Sequence, residues 1–316
     1  MNKLSETLAS LGFGTARSAH NLTLVPLLRP AAGPADYLTL DVALAEGLVE
    51  VTEISEGGSV PTLKLRNRGE RKVLLVDGEE LVGARQNRVL NLSVLVPPMA
   101  ELDIPVSCVE QGRWSYRSRA FRSEGRALHA RARSEKMAAV SESLRSYSQA
   151  RSDQGALWQE IGRKSQAMRV ESHTAAMADI YESHQGSLQD YREAVATQPG
   201  QVGAAFLVGG RLVGMELFDA PSTLAHLLPK LVDSYAMDAL EERNEGAGHR
   251  QGLSDEQAAE LAVDTAQAFI QRVQLAKAEQ YPGIGLGDTV RLQGPSLRAG
   301  ALVEGGRVVH LSAYVG

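Results

Sequence analysis

Between residues 48 and 109, five short runs rich in Val and Leu follow one another. They are LVEVTEI (48–54), PTLKLRN (61–67), KVLLVDG (72–78), RVLNLSVLV (88–96) and ELDIPVSCV (101–109). Gly, Asn, Asp or Pro bounds each run, as turn residues bound strands. No helical stretch separates them, so an antiparallel sheet or sandwich is predicted rather than βαβ units. Alternation sets the faces: Val49, Val51 and Glu53 share one side, and Glu50, Thr52 and Ile54 the other. Upstream, NLTLVPLL (21–28) is strand-like but interrupted by Pro26. DYLTLDVALAEG (36–47) reads as a short helix ending at Gly47.

The middle changes period. SEKMAAVSESLRSYSQAR (134–151) puts Met137, Val140, Leu144 and Tyr147 at helical spacing, with Ser134 placed to cap. Leu157, Ile161 and Met168 continue the pattern, then Met177, Tyr181, Leu188, Tyr191 and Val195. These narrow amphipathic helices could cover a sheet, or pair with a second copy of the chain through 134–195. From Val202 strands return. VGAAFLVGGRLVGMELF turns at Gly209-Gly210, and a second hairpin turns at Gly305-Gly306. Between them lie two predicted helices. One has Pro221 in its first turn, Leu224, Leu227, Leu228, Leu231 and Tyr235 inward, and a kink at Pro229. The other opens on Ser254 and Gln257, spaced as a capping box.

The predicted class is therefore α+β: an antiparallel β-rich N-terminal part (sheet or sandwich), a helical middle segment, and returning C-terminal hairpins packed with helices. One domain over 1–316 is expected. Any subdivision would fall at 1–133, 134–200 and 201–316, with loop-like weak points at 197–201 and 243–252.

The net charge of −5 argues against a general nucleic-acid binder. Yet residues 113–136 carry seven Arg and one Lys against Glu124 and Glu135, a local +6 on a body of −11. That pattern suits a local anion site or a docking surface. RNA or single-stranded DNA binding through 113–133 is the weaker reading, because no nucleic-acid module is recognisable. No run of eighteen apolar residues and no apolar signal core is present, so no membrane partner is expected. The single cysteine, Cys108, forbids an internal disulfide, and a cytoplasmic location is expected.

Familiar chemistry is mostly excluded. The seven His form no HExxH or HxH pattern, and His173 and His184 lie three turns apart if one helix carries both, too far for one ion. A carboxylate-only Mg²⁺ site would have to use Asp77, Glu79 or Glu80; no metal site is predicted. No Walker loop, strand-to-helix GxGxxG or GxSxG elbow occurs. Cys108, inside IPVSCV, reads as a buried structural thiol. No cofactor is named by the sequence.

Two polar strings remain. VDGEELVGARQNRVLN delivers Glu79 and Glu80, then Arg85, Gln86, Asn87, Arg88 and Asn91. VEQGRWSYRS delivers Glu110, Gln111, Arg113, Trp114, Tyr116 and Arg117. Planar guanidinium and amide groups suit bidentate recognition of phosphates, carboxylates or base edges. Arg interleaved with aromatics suits a flat ring and its phosphate. In extended backbone Glu79 and Glu80 point to opposite faces. Glu80 and Glu110 are the candidate catalytic acid/base groups; the other residues of the two strings are candidate ligand contacts.

LVDGEELVGARQNRVLNLSVLV, IPVSCVEQGRWSYRS and GMELFDAPSTLAHLLPKLVDSYAMDAL resemble the ARG and Rhodanese-Phosphatase-superfamily-associated Protein domain family, over nearly the whole chain from about Leu24 to Tyr314. That bacterial and archaeal family is named for its genomic association with ADP-ribosylglycohydrolases and rhodanese-phosphatase proteins. The resemblance implies work near ADP-ribose or NAD-derived nucleotides and carries over no catalytic residue. Two functions compete. One is a nucleotide-ligand protein that processes or binds its ligand at the strings. The other is a scaffold or partner module whose polar strings are structural.

Overall fold

A computed structural model describes residues 3–55, 61–246 and 254–316. Its largest sheet has nine strands. In spatial order the path is Gly12–Phe13, Leu22–Leu28, Gln201–Val208, Arg211–Phe218, Arg307–Val315, Leu297–Glu304, Asp288–Gly294 and Lys277–Pro282. Arg17–Ala19 pairs with Leu22–Leu28 beside this path. Both predicted hairpins are present, and Gly209, Gly210, Gly305 and Gly306 all take the positive φ that such tight turns need.

The first third forms two smaller sheets. One runs Phe121–Arg122, Glu80–Gly83, Arg88–Leu90, Glu101–Cys108, Thr62–Asn67 and Val49–Glu53; the other runs Val94–Val96, Lys72–Leu75 and Tyr37–Thr39. The antiparallel expectation holds with one exception among the described residues: Tyr37–Thr39 lies parallel to Lys72–Leu75. The stretch read as helix from residue 36 begins as this strand and turns helical only over Leu40–Ala45. RVLNLSVLV is likewise two strands, one in each sheet. Most of their Val, Leu and Ile side chains share one aliphatic cluster with Leu40 and Ala43, while Leu74, Val89 and Leu95 join the core under the large sheet.

Helices cover both faces of the large sheet. Pro221–Asn244 presents Leu224, Leu227, Leu228, Leu231 and Tyr235 to one face, where Phe206 and Tyr235 stack at 3.9 Å. Pro229 lies inside this helix, which runs on unbroken to Asn244. Asp255–Leu275 covers the other face with Ala262, Ala266, Phe269, Ile270 and Val273, and the Ser254–Gln257 capping box is formed in full. The stripes of Gln154–Ala167, Met177–Ser183 and Gln185–Glu193 face this chain's own core. His173 precedes Met177–Ser183 and His184 follows it, so no one helix carries both.

One helix departs from its predicted start. Ala130–Tyr147 begins four residues before Ser134, from His129, whose side chain makes no capping bond. Its buried face includes Arg133 and Lys136, while Tyr147, expected on the apolar stripe, is 74 % exposed. Burying two cations needs acceptors from elsewhere in the fold, and these organise the polar interior. Among the described residues no helix is long and apolar enough to cross a membrane.

Candidate functional site

The first polar string leaves Lys72–Leu75 through a turn at Gly78 (φ +86°). A Cβ there would sit 2.8 Å from Arg133 Nε, so backbone and guanidinium touch only because the residue is glycine. Glu79 and Glu80 then face opposite ways, as the pleat requires. Glu79 accepts from Val76 N (2.6 Å) and Lys230 Nζ (2.8 Å). Glu80 accepts from Arg126 Nε (2.8 Å) and Asn87 Nδ2 (3.4 Å). Burial pushes both carboxyls up, against the pull of Lys230 and Arg126 respectively.

The second string packs directly on the first. Glu110 accepts from Asn87 N (3.2 Å) and Thr174 Oγ1 (3.0 Å) and pairs with Arg113 Nη2 at 2.6 Å. Burial pushes this carboxyl up, but the hydrogen bonds from Arg113 and Asn87 outweigh it and hold the group below its usual range. Arg113 also donates to the carbonyls of Ala84 (2.7 Å), Ser115 (2.8 Å) and Gly83 (3.3 Å) and to Asn87 Oδ1 (3.1 Å). Gln86 donates to Glu110 O, and its Oε1 accepts from Arg88 Nη1 (3.2 Å) and the Cys108 thiol (2.7 Å). Asn91 bridges Ala150 O and Ser107 Oγ.

The strings thus converge, but their members divide. Glu79, Glu80, Gln86, Asn87, Arg88, Asn91, Glu110 and Arg113 are buried and engaged with protein partners. Gln111, Trp114, Tyr116 and Arg117 are exposed, and Arg85 is half-buried. The Arg85 guanidinium lies 4.4 Å from the Tyr116 ring centroid and 5.6 Å from that of Trp114.

Arg85, Tyr116 and Arg117 line a cleft of about 1190 Å³ with Arg119, Ser118, Lys64, Arg66, Glu50, Thr52, Glu53, Ile54 and Ser55. Lys64 and Arg66 are committed to Glu101 on the surface, and Glu50 to Arg68. Arg85, Arg117 and Arg119 add positive charge to the lining, and Arg117 Nη2 also lies 3.6 Å from Glu110 Oε1. Below them the Glu53 side chain, 4 % exposed, has among the described residues only Arg88 Nη2 within ion-pair reach, at 3.7 Å, and neither carboxylate oxygen accepts a hydrogen bond from them. Neither polar string contains Glu53, so its place in the cleft was not foreseen. The signal for Glu53 was its place on the Val49–Val51 face, where a carboxylate interrupts an apolar alternation.

A second polar array was also missed. Glu216 is fully buried and accepts from Arg133 Nη1 (2.7 Å), Tyr235 OH (3.1 Å), Tyr314 OH (3.1 Å) and Ser312 Oγ (2.6 Å), with His310 Nε2 at 3.2 Å. Burial pushes Glu216 up, yet Arg133 and His310 outweigh it and hold the group down to about 2. His310 Nδ1 lies 2.7 Å from Ser93 Oγ. Ser93, His310 and Glu216 so take the order of a hydrolase relay. The space beside Ser93 is about 10 Å³, the room of one water, and no acyl substrate fits it. The readable signal was a lone Glu inside GMELF and a lone His inside VVHLS, both in otherwise apolar strands.

Among the described residues, no group of three or more His, Cys, Asp or Glu is placed to hold a metal ion. Fold and site together define a class: an α+β protein with a polar interior closed by ion pairs and an arginine-walled cleft outside it. More particularly, the chain belongs to the ARG and Rhodanese-Phosphatase-superfamily-associated Protein domain family, whose model matches residues 10–314. Comparison with curated proteins and with solved structures gives no match.

Proposed function

We propose that the cleft between Glu50–Ile54 and Arg85–Arg119 binds a phosphorylated nucleotide of the ADP-ribose kind. The observation that carries this is that Arg85, Arg117 and Arg119 line one cleft with the ring of Tyr116, 51 % exposed, while Trp114, 46 % exposed, lies outside the lining with its ring centroid 5.6 Å from the Arg85 guanidinium. Guanidinium groups supply planar, charged donors for a pyrophosphate. Tyr116 or Trp114 supplies the face on which a base stacks. The family's association with ADP-ribosylglycohydrolases points to the same ligand class.

The scaffold reading explains the other half of the strings. Glu80, Asn87, Glu110 and Arg113 are joined to one another in the interior, Glu79 is taken by Lys230, and Arg117 of the cleft reaches Glu110 at 3.6 Å. In this reading they hold the loop that carries Arg85, Trp114, Tyr116 and Arg117 and take no part in chemistry.

The test is a thermal-shift panel of ADP-ribose, NAD, AMP, ADP and pyrophosphate, with and without Mg²⁺, on wild type and Arg117→Ala. The Arg117 side chain is 57 % exposed, so the variant should keep its fold. Ligand at a hundred times its Kd adds about 2.7 kcal/mol, a rise of about 5 °C for a chain of this size. That rise in wild type, lost in Arg117→Ala, supports the reading. No shift with any ligand, or an equal shift in the variant, rejects it.

A further inference from the structure

The large sheet buries a charge for which the described residues supply no ion pair. Arg291, in the strand Asp288–Gly294, is 2 % exposed. Among the described residues its buried Nε and Nη2 have no hydrogen-bond partner, and no carboxylate lies within 4.0 Å of it. The fold makes room for the guanidinium on purpose-built backbone. Arg291 pairs across the ladder with Gly300, where a Cβ would sit 2.5 Å from Arg291 Nη1.

The surrounding charges do not cancel. Asp77 is taken by Lys136, and Glu216 by Arg133. Arg291 is the third cation of that interior against two carboxylates. A guanidinium cannot shed its proton in a protein, so neutralisation by deprotonation is closed to it. An uncompensated buried charge is unfavourable, and proteins pair such groups. Beside Arg291 lies a cavity of about 10 Å³, lined also by Asp77, Ser93, Thr289, Gly300, Ala301 and His310. This volume is about the lower limit for one water-sized occupant, well short of phosphate, sulfate or a carboxylate.

We propose that this cavity is a halide site, filled by chloride, with the Arg291 guanidinium as its principal ligand. Lys136 neutralises the one carboxylate on the cavity wall, Asp77, so the field at the site is set by Arg291. The site is separate from the nucleotide cleft, with which its lining shares no residue.

Two measurements test it. Crystals of the full chain are soaked in sodium bromide and recorded at the bromine edge. An anomalous peak in hydrogen-bonding contact with Arg291 supports the proposal; bromide at surface positions only, or a water at this position, overturns it. In solution, Tm is followed in sodium chloride and in sodium gluconate at equal ionic strength. A saturable rise specific to chloride and bromide, absent in Arg291→Met, supports the site. Equal Tm values in chloride and gluconate for wild type overturn it. Where Arg291→Met does not fold, the anomalous map of the wild-type protein decides alone.

Discussion

Replacing Glu110 by Gln separates a catalytic carboxylate from a framework one. The change keeps the shape and removes the charge opposite Arg113, which is buried 2.6 Å away. Stranding a buried charge commonly costs about 3–5 kcal/mol. Here Arg113 keeps four neutral acceptors, on Gly83, Ala84, Ser115 and Asn87, so the lower end applies. A single amide oxygen cannot serve both Asn87 N and Thr174 Oγ1, and one lost hydrogen bond is included in the resulting figure of about 3 kcal/mol. Against a usual total of about 5–15 kcal/mol, that is a large loss. Urea denaturation at pH 7 should show a lower midpoint with an unchanged m-value. The gap has a pH signature. The folded pKa of Glu110 lies below the ordinary 4.5, so its stabilisation is present above pH 4.5 and is lost as pH falls below it. Wild type and Glu110→Gln should therefore converge in acid. A variant within about 0.5 kcal/mol of wild type at pH 7 would refute this reasoning and return Glu110 to the catalytic candidates.

Two further expectations follow from other buried groups. Burial pushes Asp233 up to about 6 against the pull of Arg192, so its stabilising proton is lost as pH rises from 3.8 through 6. Asp233→Asn should gain about 2 kcal/mol over wild type at pH 8, after allowance for the weakened 3.0 Å Arg192 contact, and nothing at pH 4; urea midpoints at the two pH values check this, and a less stable variant at pH 8 sinks it. Burial likewise pushes the Cys108 thiol up to about 11. Iodoacetamide at pH 8 should leave Cys108 unlabelled in the folded chain and label it fully in urea, and rapid labelling of folded protein by mass spectrometry would contradict the buried placement.

Local signals were readable where the cause is local. Gly209-Gly210, the Ser254–Gln257 box and Pro221 at a helix start each act within a few residues, and each was placed correctly. The parallel pair of Tyr37–Thr39 with Lys72–Leu75 was not, because its partner lies across an intervening helix and two strands. Nor was the start of Ala130–Tyr147, whose inward Arg133 and Lys136 break the apolar period that marks a buried face. The two polar strings pack on each other, but which members would be buried was not legible. That choice rests on distant partners: Lys230 for Glu79 is 151 residues away and Arg126 for Glu80 is 46. Glu53 is the opposite case. Its burial follows from strand alternation alone, and only the habit of assigning charges to the surface hid it.

Glu216 sets an order of events during synthesis. Its strand emerges from the ribosome 94–98 residues before His310, Ser312 and Tyr314, three of the groups that satisfy it. At roughly 5–20 residues per second that wait is on the order of ten seconds. Through it the second edge of the Arg211–Phe218 strand lacks its partner strand, and Glu216 can have Arg133 and Tyr235 but not yet its other three partners. Completion of the polar cluster at the centre of the sheet is therefore expected to wait for the C-terminal strand, the last element of the sheet to be made.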